Sequence, residues 1–135
     1  MSLQTLLGKL IHRSEAVQRQ ALSESGQLNP GDAAAIFDSL TQKIKQEGDK
    51  TSRDSFLTIL FSWTENRNEL TSQLLEFLNN LAIENIPPSA VVQLLKITNN
   101  TTFEQIGYDI LKKWSENKIN KPLAEIAKRR LSKRK

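Results

Sequence analysis

Apolar residues recur at three- and four-residue spacing along most of the chain, the period of helices that bury one face. Leu3, Leu6, Leu7, Leu10 and Ile11 share one face, and Val17, Ala21 and Leu22 extend it, which predicts a helix over 3–24. Ser25-Gly26 and Asn29-Pro30-Gly31 interrupt the pattern. Asp32 reads as the N-cap of a second helix, because its carboxylate can accept from free first-turn N–H groups. Ala33, Ile36, Phe37, Leu40 and Ile44 follow at helical spacing, and Gly48 ends the run. A third helix over 52–63 carries Phe56, Leu57, Ile59, Leu60, Phe61 and Trp63 and leaves little polar surface, as a helix inside a bundle does.

The fourth helix, over 68–81, lines up Leu70, Leu74, Leu75, Leu78 and Leu81, with Phe77 off that stripe. Pro87-Pro88 stop any continuation and suit the first turn of a fifth helix over 88–97. Thr101 and Glu104 have the spacing of a capping box ahead of a sixth helix with Phe103, Ile106, Ile110, Leu111 and Trp114. Asn120-Lys121-Pro122 can open a seventh, carrying Leu123, Ile126, Ala127 and Leu131. No segment alternates strictly between turn-rich boundaries, so no strand is expected.

One pattern repeats. Ile59-Leu60-Phe61-Ser62-Trp63-Thr64-Glu65-Asn66-Arg67 returns as Ile110-Leu111-Lys112-Lys113-Trp114-Ser115-Glu116-Asn117-Lys118, and the two copies contain both tryptophans. Each reads as a helix that ends on a buried Trp and leaves through a polar loop. A period near fifty lies close to HEAT and armadillo repeats. The expected fold is all-α, a compact right-handed HEAT/armadillo-like helical bundle of about seven helices. One domain over 1–131 is expected, followed by a basic tail at 132–135.

Composition narrows the chemistry. Without cysteine there is no disulfide, thiolate metal site or cysteine nucleophile. The single histidine, His12, reads as a plain helix residue, and no catalytic motif or phosphate-binding glycine loop is present. No enzyme activity, metal or cofactor is expected. No apolar run approaches the roughly 18–20 residues of a membrane span, and 1–7 lack the pattern of a secretory signal, so a soluble intracellular monomer is expected.

The net charge of +4 is uneven. Residues 112–135 hold ten Lys or Arg and two acids, whereas 1–111 hold nine and thirteen, so +8 opposes −4. Lys128, Arg129, Arg130, Lys133, Arg134 and Lys135 read either as a solvated helix end that suits the dipole or as a nuclear-import or nucleic-acid contact. No aromatic residue interleaves them, which argues against base stacking.

From Trp63 to Trp114 the chain resembles the N-terminal (LW) domain of transcription elongation factor TFIIS. The resemblance rests on a helix ending at Trp63 and on Leu74-Leu75-Glu76-Phe77-Leu78-Asn79-Asn80-Leu81-Ala82-Ile83. It continues through Val91, Leu94 and Lys96 and through Ile106 to Trp114. The core of the likeness spans about residues 52–115. Departures are Ile86-Pro87-Pro88 where the family usually has Ile-Gly, Gly107 where it often has Ala, and a short segment between Leu81 and Trp114.

The resemblance implies a nuclear module that binds short disordered peptides of transcription regulators, with an aromatic anchor beside acidic residues. The expected notch joins 83–86 with 97–103. Ile86, Ile97 and Phe103 would supply apolar contact there, or serve as core. Lys96, Lys112 and Lys113 would supply charge. Trp63 and Trp114 are expected in the core. A nucleic-acid-binding protein acting through 112–135, or a helical-repeat scaffold, are the other readings of the same sequence.

Overall fold

Ser14 ends the first apolar stripe early. Its backbone N–H is taken by Nδ1 of His12 at 3.0 Å, and its carbonyl accepts from the N–H of Gln18 at 3.1 Å, so it starts a new helix. The computed structural model describes residues 3–12, 14–24, 28–65 and 67–133. Within it the expected first helix is two, α1 (Leu3–Leu10) and α2 (Glu15–Glu24). The others are α3 (Pro30–Gln46), α4 (Lys50–Glu65), α5 (Asn68–Asn80), α6 (Ala90–Thr98), α7 (Glu104–Glu116) and α8 (Lys121–Lys133). The described residues form eight α-helices and a 3-10 turn (Ile83–Asn85) and contain no strand.

Local chemistry sets the helix starts, and twice moves them from the expected place. Asn29, not Asp32, caps α3. Its Oδ1 accepts from the N–H of Asp32 at 2.8 Å, while its Nδ2 donates to Oδ2 of Asp32 at 3.1 Å. Pro30 then fills the first turn, where no N–H is needed. Asp49 caps α4 two residues ahead of the expected start, accepting from the N–H of Ser52 at 3.0 Å and from its hydroxyl at 2.9 Å. Those two bonds hold the Asp49 carboxyl below its ordinary value.

The chain divides into two compact units, 1–70 and 71–135, with the boundary inside the first turn of α5. The first unit packs α1 on α2 and α3, and α3 on α4. Its core includes Leu10, Ile36, Leu40, Ile44, Leu57 and Leu60, all almost wholly removed from water. Each such side chain contributes roughly 1.5–3 kcal/mol relative to exposure. Trp63 lies in the last turn of α4, 2 % exposed, and its Nε1–H donates to the carbonyl of Ala33 at 3.2 Å. The guanidinium of Arg67 stands over the Trp63 ring, 5.3 Å from its centre.

The second unit packs α7 on α8 and α6 on both. Trp114, 1 % exposed, lies in the last turn of α7. The two copies of the repeated pattern therefore fall one in each unit, each on the end of a helix. The residue after each Trp is a buried hydroxyl that bonds back to its own helix. Thr64 Oγ1 donates to the carbonyl of Leu60 at 3.2 Å or Phe61 at 3.0 Å, and Ser115 Oγ donates to that of Lys112 at 2.7 Å. Glu65 and Glu116 close the two helices and face solvent. Asn66 lies outside the described residues.

Between α6 and α7 the chain turns at Asn100, which adopts a left-handed φ of 63°. Glu104 Oε2 accepts from the N–H of Asn100 at 2.9 Å rather than from Thr101, whose N–H is bonded to the Thr98 carbonyl. The expected reciprocal box is thus displaced, and α7 begins at Glu104 with Phe103 as its cap residue. Ile106, expected on the buried face, is 47 % exposed. Phe77, placed off the apolar stripe of α5, is buried.

Candidate peptide-binding groove

The loop 117–120 carries two asparagines that fold it onto the rest of the second unit. Asn117 Oδ1 accepts from the N–H groups of Ile119 (2.9 Å) and Asn120 (2.6 Å), and its Nδ2 donates to the carbonyl of Trp114 at 2.6 Å. Asn120 Oδ1 accepts from the N–H of Leu123 at 3.3 Å and so caps α8, as Asn120-Lys121-Pro122 led one to expect. Its Nδ2 donates outward, to the carbonyls of Ile83 (2.9 Å) and Ile86 (2.8 Å). One side chain therefore starts α8 and ties down the connector after α5. A consequence is that Ile119 is held on a fixed turn while 71 % exposed.

Beside this loop runs an open groove of about 910 Å³. Its apolar surface comes from Leu81 just after α5, Ile83 of the connector and Ile119, while Leu78, Ile86 and Trp114 line it from the core. Lys112, Lys113 and Lys118 line it, with Asp109 and Glu116 as its acids. Lys113 Nζ donates to the carbonyl and Oδ1 of Asn79, at 2.9 and 3.2 Å, and so caps the negative end of α5. Lys112 and Lys118 are exposed, and their ammonium groups have no hydrogen-bond or ion-pair partner among the described residues.

The six residues expected to form one notch divide. Ile86, Lys112 and Lys113 line the groove. Ile86 is 2 % exposed, so most of its side chain serves the core. Lys96 is exposed and Ile97 and Phe103 are half-buried around the α6–α7 turn, and none of the three lines the groove. The connector 83–86 meets 109–119 there, not 97–103. Of the basic set, Lys128, Arg129 and Lys133 are exposed on α8 and Arg130 is half-buried. Arg134 and Lys135 lie outside the described residues.

The chain matches no family model, no curated protein and no solved structure.

Sequence reasoning passed over Asn117, Ile119 and Asn79. The signal for the first was present, since two asparagines three apart between a helix end and Lys-Pro are the residues of a self-bonded turn. Nothing in the sequence pairs Lys113 with Asn79, because that contact spans 34 positions. Among the described residues no three His, Asp or Glu side chains gather as a metal site, and no helix is long and apolar enough to cross a membrane.

Proposed function

We propose that this chain is a non-enzymatic protein–protein interaction module of the nucleus. Its groove would take short disordered peptides of transcription elongation regulators that carry an apolar or aromatic anchor beside acidic residues. The observation that carries the reading is the pairing of exposed Ile119 with the unpartnered ammonium groups of Lys112 and Lys118 along one apolar groove. Apolar contact supplies affinity from a few anchors. The two lysines attract an acidic segment and speed its approach. The resemblance to the TFIIS N-terminal domain supports the transcriptional setting, and with it a monomeric, right-handed, HEAT/armadillo-like arrangement of helices.

The experiment is a calorimetric titration of the whole chain with an acidic peptide containing one Trp or Phe. Binding on the order of micromolar is expected. Ile119→Ser and Lys118→Glu should each weaken it about tenfold. Both residues are exposed, so helicity by circular dichroism should be unchanged. Absence of binding, or affinity indifferent to both changes, would overturn the reading.

A further inference from the structure

The outer face of α8 carries charge, with Pro122 of the first turn as its exposed apolar residue. Lys121, Lys128, Arg129 and Lys133 are exposed, while Leu123, Ala124 and Ala127 are buried. From Lys121 to Lys133 the helix climbs about 18 Å. Glu125 is its single acid. None of the four exposed cations has a hydrogen-bond or ion-pair partner for its side chain among the described residues. A cleft of about 470 Å³ adds a fifth charge next to them. Lys112 of α7 and Lys128 of α8 both line it, with Tyr108, Ser115, Leu131, Ser132 and the acid Glu116.

We propose that this face binds the phosphate backbone of double-stranded nucleic acid. A duplex presents about one negative charge per 1.7 Å of axis, so cations spread along this helix meet several phosphates, with Glu125 as the one acid among them. Three of the four exposed cations are lysines, which act as point charges toward phosphate rather than as planar forks. Pro122 is the one apolar residue of α8 that is exposed, which separates this face from the groove with its exposed Ile119. A phosphate backbone needs only the charge. The same scarcity also separates α8 from a membrane-surface helix, which must free an apolar stripe for the acyl boundary. Apart from Pro122 in the first turn, the apolar residues of α8 are buried or half-buried in their own unit. No aromatic residue stands on α8 itself, and Tyr108 in the adjoining cleft is half-buried, which favours duplex over single strand.

The test is fluorescence anisotropy of the whole chain with a labelled duplex oligonucleotide, over about 50 to 200 mM salt. Four phosphate contacts predict a slope of log affinity against log salt of about −3.6. The double change Lys128→Gln and Arg129→Gln should bring that slope to about −1.8. It should leave the circular dichroism spectrum and the affinity for the acidic peptide unchanged, so this proposal and the groove fail separately. No duplex binding at the lowest salt overturns the proposal. So does a slope that the double change does not move. Equal binding to vesicles of anionic lipid would also overturn it, because the face would then answer to any negative surface.

Discussion

Asn120 donates to the carbonyl of Ile86 at 2.8 Å, across 34 positions of sequence. The same amide nitrogen reaches the Ile83 carbonyl, and the amide oxygen caps α8. Asn120→Asp separates these roles. Aspartate can still cap, but it replaces a donor with a negative oxygen facing two carbonyls. Its cost should be about 1–3 kcal/mol, the range for leaving buried acceptors unpaired. Urea denaturation measures it. Hydrogen exchange should quicken at the N–H groups of Asn85 and Ile86, which close the 3-10 turn.

Gly107 is where α7 comes close to α6. A Cβ there would stand 2.5 Å from Oγ1 of Thr98 and 2.7 Å from its Cβ, closer than atoms pack. Thr98 cannot easily yield, because its hydroxyl donates to the Leu94 carbonyl at 2.8 Å. Gly107→Ala should destabilise the chain by about 1–3 kcal/mol, despite the better helix propensity of alanine. Adding Thr98→Ala should recover part of the loss, and the double-mutant cycle reads the coupling.

Trp63 anchors the start of α3 through its bond to the Ala33 carbonyl. Trp63→Phe removes that donor and should cost about 1–3 kcal/mol. Arg67→Ala loses the contact with the ring face together with the 3.8 Å ion pair to Glu69, and should cost about 0.5–1 kcal/mol. Chemical denaturation of the two variants should therefore rank them in that order.

The start of α4 should loosen in acid. The Asp49 carboxyl is held below its ordinary value by the backbone and hydroxyl bonds of Ser52. A depressed carboxyl contributes stability that is complete above the unfolded value and lost as pH falls through the folded one. The Ser52 amide resonance should thus titrate with a midpoint below that of an unperturbed aspartate. In Asp49→Asn, which keeps an acceptor but cannot ionise, that titration should vanish.

The sequence made the buried faces of α3, α4 and α6–α8 legible because each repeats an apolar residue every three or four positions over several turns. It made the buried tryptophans legible by setting both into the same motif. Local polar bonds were harder to foresee. His12 and Ser14 split the first helix through a ring-to-amide bond that no periodicity registers. The resemblance implies a notch that joins 83–86 with 97–103, and only the first of these segments lines the groove. What places the groove elsewhere is Asn120 bonding the connector from a loop over thirty positions away. Such contacts need the fold to exist before they can be read. The boundary at Leu70 and Thr71 left no trace either, since α5 runs through it without glycine or proline.

Each unit carries one indole in its interior and no other. The chain therefore holds a separate built-in fluorophore for each half. Emission from Trp63 alone follows the melting of residues 1–70, and emission from Trp114 alone follows that of 71–135. Replacing either by phenylalanine silences one channel, so the order in which the halves come apart can be recorded without attaching any label.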